Sequence, residues 1–324
     1  MASRVALVGL GMAVTPHAKS LLDLKSRVEV AYAFSPSAER RKKFKEKFPA
    51  FPQCEKLETI LDDKSVGAVL VLTPPNTHLE LVERCAAAGK HVLLEKPLEI
   101  SLEKAERLVK AASRVKLGVV LQHRFRPGAE KLRELLPQLG SLVSASAAIP
   151  NWRPQSYYDH PGRGTRARDG GGVLLTQGIH TLDLFLSLVP EVQEVKSFTT
   201  TTPVHRMETE DLVAAAVKFR NGAIGTVHAT TAAYPGFPER IELIGTKGTA
   251  LLEGPSLRIE LANGERFQIQ AEGGGTGADP MAFPHDWHRA LIEDFLDSIR
   301  DRRPPRISGE EALKVQRFID RLLT

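Results

Sequence analysis

The stretch that decides the fold is Val5-Ala6-Leu7-Val8-Gly9-Leu10-Gly11-Met12-Ala13-Val14. An apolar run enters a glycine turn, and a helical pattern over 16–24 follows. A short strand that is apolar throughout has both faces covered, as in a parallel sheet with helices on either side. A glycine turn at its carboxyl end lets the backbone approach a pyrophosphate at the next helix N-terminus. The dinucleotide fingerprint wants glycine or alanine at its third position, for close packing of helix on strand. Val14 stands there, with Ala13 beside it. An ordinary strand–helix turn reads the same from this stretch alone, so its weight comes from what surrounds it.

Working outward, strand-like runs at 5–8, 28–34, 66–73, 91–95 and 117–122 alternate with helical patterns near 16–24, 37–48, 76–88 and 101–113. Such alternation means βαβ units with right-handed crossovers. After Gln122 the pattern changes. A helix near 127–136 precedes a strand at 141–149, an irregular stretch over 150–170, and a helix from Gly170 to about Leu188. Strands at 192–202, 211–219, 223–232, 239–244, 248–253 and 256–269 follow, with Asn221-Gly222 and Asn263-Gly264 as turn signals. Consecutive strands without crossover helices mean an antiparallel sheet. Helices at 285–302 and 309–323 close the chain, the second with a capping box of Ser308 and Glu311. The glycine-rich patch at 273–277 reads as a mobile loop. A chain of 324 residues is long for one core. The expectation is an α/β protein of two domains: 1–122, a Rossmann domain, and 123–324, for substrate binding and oligomerisation.

Composition narrows the class. With 42% hydrophobic and 26% charged residues the chain can build real cores. Cys54 and Cys85 show no metal or redox spacing, which fits a reducing compartment. No apolar run approaches the roughly 20 residues that span a bilayer. The start, MASRVALVG, enters a strand without a leader pattern. A cytoplasmic protein without membrane or nucleic-acid partners is expected. The net charge of +5 is not gathered into one stripe. The cluster Arg40-Arg41-Lys42-Lys43 reads as a solvated helix face, and the positive balance suits a phosphorylated cofactor or an anionic substrate.

A second segment carries the chemistry. His91-Val92-Leu93-Leu94-Glu95-Lys96-Pro97 runs a strand of the same sheet into Glu-Lys-Pro. Ligands sit at the carboxyl edge of such sheets, so Lys96 can meet the reactive end of a nicotinamide cofactor. At the end of the second strand, Ser35-Pro36-Ser37 stands where NAD sites place an acid for the ribose 2′-hydroxyl. Serines followed by Arg40 and Arg41 admit a 2′-phosphate, so NADP(H) is favoured, with NAD(H) as the alternative. The candidate cofactor-binding residues are Gly9, Gly11, Met12, Ser35, Ser37, Arg40, Thr73, Pro74, Asn76, His78, Glu95, Lys96 and Gln122. A histidine in a first helical turn also has an ordinary structural reading, which applies to His78, while Asn76 or Thr77 can cap the helix it opens. For substrate, Trp152, Tyr157, Arg153 and Arg166 on the 150–170 stretch, with Arg124, offer aromatic faces and guanidinium groups. Equally, the arginines can pair with Asp159, Asp169 and Glu130. His285 and His288 have no third ligand at metal-site spacing, and no metal is expected.

Gly9-x-Gly11, Thr73-Pro74-Pro75-Asn76-x-His78, Glu95-Lys96-Pro97 and Gly170-Gly171-Gly172-Val173-Leu174-Leu175-Thr176-Gln177-Gly178-Ile179-His180 occur in this order. In these motifs the chain resembles the glucose–fructose oxidoreductase/inositol dehydrogenase/MocA family, over essentially its whole length. The resemblance implies a Rossmann domain followed by an α/β domain with a large, mostly antiparallel open sheet. It also implies NAD(P)-linked chemistry on sugars, cyclitols or related polyols. It makes Lys96 the active-site lysine and His180 the catalytic histidine. Many members carry aspartate four residues before that histidine, where this chain has Thr176. A hydroxyl can hydrogen-bond an imidazole or a sugar but cannot stabilise an imidazolium by charge. Asp183, on a neighbouring face, reads as structural. Two other functions fit the same motifs: a lyase or glycosidase that oxidises and re-reduces substrate on tightly held NAD, and a non-catalytic cofactor sensor. An open sheet needs cover, and a homodimer or homotetramer is expected.

Overall fold

The computed structural model describes residues 3–271 and 284–324; the glycine-rich patch at 273–277 lies outside them. The first part of the chain forms β1 (Ser3–Val8), β2 (Val28–Phe34), β3 (Gln53–Cys54), β4 (Ala68–Val71), β5 (His91–Leu94) and β6 (Leu117–Val119). They make one sheet in the order β3-β2-β1-β4-β5-β6, and every pair is parallel. The direction of winding reverses at β1, which opens a crevice at the carboxyl ends of β1 and β4. The crossovers carry α1 (Val14–Asp23), α2 (Ala38–Lys47), α3 (Leu57–Asp62), α4 (His78–Ala87) and α5 (Leu102–Ala111). β4 is buried along its whole length, as a strand covered on both faces must be. β3 and α3 were not expected from the sequence: two and six residues are too short to show a period.

The second sheet has eight strands: β7 (Leu142–Pro150), β8 (Val192–Thr200), β9 (Leu212–Phe219), β10 (Ile224–Thr230), β11 (Arg240–Gly245), β12 (Gly248–Glu253), β13 (Ser256–Leu261) and β14 (Arg266–Ile269). Their order is β14-β13-β12-β11-β7-β10-β9-β8. All neighbours are antiparallel except β7 and β10, which run parallel. The strand expected over 256–269 is two strands, folded back at a turn where Gly264 has φ +91°. The strands alternate: Ala145, Ala147, Val227 and Leu243 are buried, while Ser144, Ser146, Thr226 and His228 on the other face are half-buried or exposed. The helices of this region are α6 (Pro127–Leu135), α7 (Gln155–Tyr158), α8 (Arg166–Asp169) and α9 (Ile179–Leu186). α6 packs on β12 and β13, and α9 on β7.

The chain ends in α10 (Asp286–Arg300) and α11 (Gly309–Leu323). Ser308 caps α11 by accepting from Glu311 N at 3.2 Å, as its capping box predicts. Two compact units result: Met1–Val120 with His285–Leu313, and Leu121–Pro284 with Lys314–Thr324. The boundary expected from the sequence, 1–122 against 123–324, therefore differs: His285–Leu313, with α10 and the start of α11, joins the first unit, whose leading segment ends at Val120. The apolar stripe of α10, Trp287, Leu291, Ile292 and Phe295, is buried, and the helix packs on α1 and β5. Gly118 on β6 leaves room for the Phe295 ring, which a Cβ there would meet at 2.8 Å. Composition follows chain order, but an amphipathic helix goes to the apolar surface that covers its stripe.

Candidate active site

In the first unit the crevice rim is built from strand ends. Gly9 has φ +103°, and a Cβ there would lie 2.7 Å from the Leu72 carbonyl carbon. Only glycine takes that conformation at that approach. A Cβ on Gly11 would meet nothing within 4 Å, so that side of the turn is open, with Met12 57% exposed at its lip. α1 starts without a side-chain cap or an acid in its first turn, which leaves its N–H groups for an anion. These features fit a pyrophosphate. At the end of β2, Ser35 is buried and its Oγ accepts from Ser37 N at 3.3 Å. Ser37 caps α2 by accepting from Arg40 N at 3.3 Å. Arg41 is tied to Ser35 O at 2.8 Å and to Glu55 at 2.8 Å, whereas Arg40 is exposed. After β4, Pro74 and Asn76 are exposed and Thr73 is half-buried. Thr77 occupies the N-cap of α4 without a side-chain bond to it; its hydroxyl pairs instead with Thr73 Oγ1 at 2.7 Å and Pro74 O at 2.8 Å.

β5 delivers the lysine. Lys96 is half-buried and its peptide bond to Pro97 is cis. Glu95, expected at the cofactor, is 9% exposed and turned inward. Its Oε1 lies 2.7 Å from His17 Nε2, and its Oε2 accepts from the Lys96 backbone N at 3.1 Å. Burial opposes the carboxylate charge, but the hydrogen bond and charge of His17, with Lys96 beside it, hold Glu95 below its usual pKa range. His78, also expected at the cofactor, is fully buried. Its Nδ1 lies 3.0 Å from Pro97 O and 3.2 Å from Leu98 O, and its Nε2 2.9 Å from Thr73 O. Burial pushes its pKa below the ordinary histidine value. Both residues therefore act behind the lysine rather than at the surface. His17 was not singled out in the sequence. Its signal is its place three residues after Val14 and four before Leu21, on the buried face of α1, where a histidine needs a partner.

His288 completes this corner. It stands edge-on to His17, ring centroids 5.1 Å apart, and burial, with the neighbouring His17 charge, pushes it down to about 3. The ligating atoms of His17, Glu95 and His288 lie within 4.8 Å of one another. No sequence spacing links this group to His285 and His288, because its members come from α1, the turn after β5, and α10. His285 bonds Asp23 at 2.8 Å instead.

In the second unit the glycine run lets the chain pass close to Glu210. A Cβ on Gly172 would lie 1.7 Å from Glu210 O. Val173 N donates to that carbonyl at 2.9 Å, and the Glu210 carboxylate accepts from Gly172 N at 2.9 Å and Leu174 N at 3.2 Å. Burial raises the Glu210 pKa despite those bonds. The helix expected from Gly170 onward is interrupted: a π-helical turn, Leu174–Gly178, precedes α9, a geometry common at functional sites. Thr176 donates its hydroxyl hydrogen to Gly172 O at 2.6 Å, and the same oxygen lies against Gln177 Oε1. His180 is half-buried and stacks on His123, centroids 4.9 Å apart and planes 30° apart. Arg126 Nη2 donates to His123 Nε2 at 2.7 Å. Arg126 is held in turn by Glu239 and Gly254 O. His123 and Arg126 were missed; their signal is the polar run Gln122-His123-Arg124-Phe125-Arg126 at the end of an apolar strand.

The residues proposed for substrate have unequal fates. Arg124, expected at the substrate, is 5% exposed and grips Asp183 with Nε at 2.7 Å and Nη2 at 2.6 Å, and a bidentate buried pair of this kind ties the two side chains to each other. Arg153 is also buried, donates to Trp152 O at 2.7 Å, and its own carbonyl faces His205 Nε2 at 2.8 Å. Arg166 is exposed beside Glu208 at 3.8 Å. Tyr157 lies under the Arg163 guanidinium at 4.3 Å, and Trp152 meets Tyr234 edge-on at 5.4 Å. Gln122 is 5% exposed in a 3-10 turn, Gln122–Phe125.

Residues 3–123 match the model of an oxidoreductase family with an NAD-binding Rossmann fold, and residues 130–251 match the GFO/IDH/MocA C-terminal domain. The chain belongs to this family of oxidoreductases, and its first unit carries the NAD-binding Rossmann domain. Myo-inositol 2-dehydrogenase of Thermotoga maritima is 27% identical, with 95% of this chain and 91% of that protein covered. The 1,5-anhydro-D-fructose reductase of Ensifer adhaerens is 28% identical, covering 88% and 85%. The WlbA dehydrogenase of Bordetella pertussis, solved with NADH and UDP-GlcNAcA, superposes with a TM-score of 0.84 at 26% identity, covering 100% and 96%.

Proposed function

We propose that this chain is a dehydrogenase or reductase that moves a hydride between a nicotinamide cofactor and a secondary alcohol or carbonyl of a polyhydroxylated small molecule. The substrate class is a sugar, cyclitol, uronate or nucleotide sugar. The observation that carries the reading is Lys96, half-buried on the turn that ends β5 in a Rossmann sheet. Gly9, Gly11 and the N-terminus of α1 would hold the pyrophosphate. When bound, the nicotinamide supplies the hydride acceptor or donor. In the oxidative direction His180 takes the hydroxyl proton, for which an imidazole near neutrality is suited. Lys96 donates to the same oxygen and stabilises its developing negative charge. Relatives that act on myo-inositol and 1,5-anhydro-D-fructose support the substrate class.

We infer NADP(H) in preference to NAD(H), because no carboxylate stands at 35–37 and Arg40 is exposed beside that turn. Arg40→Ala should weaken NADP affinity about tenfold and leave NAD affinity unchanged in calorimetric titration. Equal losses for both would refute the preference. The open face of the second sheet, with Phe198 86% and Ile224 65% exposed, supports a homodimer or homotetramer, which light scattering would reveal. The buried free cysteines fit a cytoplasmic setting. A screen of polyols, aldoses, uronates and nucleotide sugars with NADP and NAD, following the absorbance of reduced nicotinamide, tests the reaction. Net turnover on one of these supports a dehydrogenase. Substrate conversion without net turnover marks the lyase or glycosidase reading, and cofactor binding with no conversion marks a sensor.

A further inference from the structure

We propose that His17 and His78 are positioning residues for Lys96, two buried imidazoles that clasp its turn from α1 and from α4. The proposal rests on the reading of Lys96 as the active-site lysine. His17 and His78 are each fully buried, and Glu95 nearly so. Burying polar groups is costly unless they are bonded, so apolar side chains would serve packing better. These three meet the lysine turn at successive points. His17 Nε2 holds Glu95 Oε1 at 2.7 Å, and the other oxygen of that carboxylate receives the Lys96 N–H at 3.1 Å. One residue beyond the lysine, the Pro97 carbonyl lies 3.0 Å from His78 Nδ1, and Thr73 O at the end of β4 lies 2.9 Å from Nε2; the single N–H of the neutral ring bonds one of these carbonyls while the ring packs against both. The lysine backbone is thus fixed on both sides by groups outside its own strand. Catalytic side chains need their support held to within about 0.5 Å.

The same corner admits a second reading, a metal bound by His17, Glu95 and His288. The 2.7 Å contact argues against it. Two ligands about 2.0–2.2 Å from a tetrahedral ion stand more than 3 Å apart, whereas 2.7 Å is a charge-assisted hydrogen bond.

Hydrogen exchange of the full chain reads the clasp without any substrate, because the Lys96 amide is protected by Glu95. His17→Leu should speed exchange at Lys96 about tenfold or more while Ala6 and Leu7 in β1 keep their protection. His17→Gln, which keeps a donor near the Nε2 position, should restore exchange to within about threefold. His78→Leu should loosen the same turn from the other side. Unchanged Lys96 exchange in both leucine variants would overturn the proposal, as would equal loosening of β1, the mark of a merely structural role. If His17→Leu does not fold, His78→Leu and His17→Gln decide the matter alone. Elemental analysis that finds about one equivalent of zinc, lost together with Lys96 protection on chelation, would also overturn it. Lys96→Ala separates the two claims: full activity in that variant would sink the reading of the lysine, while exchange at position 96 still judges the clasp.

Discussion

In the first unit Lys96 stands on a turn just beyond a buried parallel strand, and beside that turn lie buried imidazoles from two crossover helices. In the second unit His180 stands on a helix that opens in a glycine run, passes through a π turn, and rests its ring on His123. The lysine is held through its backbone and the histidine through its ring face. A backbone clasp fixes where a side chain begins. A stacked ring has its plane fixed, and its chemistry depends on the charge of its neighbour. Around His180 that neighbour receives a hydrogen bond from Arg126, and Thr176, four residues before it, is an uncharged hydroxyl.

The comparison can be broken first in the second unit. Arg124→Leu leaves Asp183 buried and unpaired on α9, and should lower stability by about 3–5 kcal/mol in chemical denaturation. Arg124→Leu with Asp183→Leu should recover most of that loss. No recovery would mean that Arg124 does more than pair with Asp183.

An acid titration sharpens the first unit. The unfolded chain protonates His288 below its ordinary pKa of 6.5, but the folded chain does so only near 3. Protons therefore favour unfolding, and stability present at pH 7 is lost as the pH falls. His17, Glu95 and His285 face this group, and Glu95, lowered in the fold, adds no slope until near its ordinary 4.5. Between pH 7 and pH 5 the wild type should lose about 2 kcal/mol through His288. His288→Leu should lose about 2 kcal/mol less than the wild type over that window, the slope that remains coming from His78 and His91, whose pKa values burial also lowers. Equal slopes would show that the imidazole titrates normally in the fold.

The smallest effect belongs to Thr176. Its hydroxyl donates to Gly172 O, so Thr176→Val removes that neutral hydrogen bond, worth about 0.5–1.5 kcal/mol of stability. A drop in kcat much beyond tenfold would instead place the hydroxyl in the chemistry. The midpoint of thermal unfolding and kcat, measured together, separate the two.

What could be read in the sequence follows distance along the chain. The strand Val5-Ala6-Leu7-Val8 and the Gly9 turn are adjacent, so the parallel sheet and its crevice were legible. Glu95, Lys96 and Pro97 are adjacent too, so the turn that carries the lysine was legible. Its clasp was not, because His17 lies 78 residues from Glu95 and His288 comes from the other end of the chain. The same limit hid the return of α10 to the first unit. Arg124 and Asp183 were both noticed, but their pairing across 59 residues was invisible. The π turn left no periodic trace, since one widened turn is shorter than any window that could show it. Residue types announced chemistry; which of them face each other depended on packing.

The most direct test of the account is the rate of reduced nicotinamide formation on the substrate found in the screen, for the wild type, Lys96→Ala and His180→Ala, with cofactor affinity measured beside it. Each alanine variant should lower kcat by roughly 10² or more, while the cofactor dissociation constant shifts less than about threefold. Either variant turning over that substrate at the wild-type rate would contradict the assignment of the lysine and the histidine to the reaction.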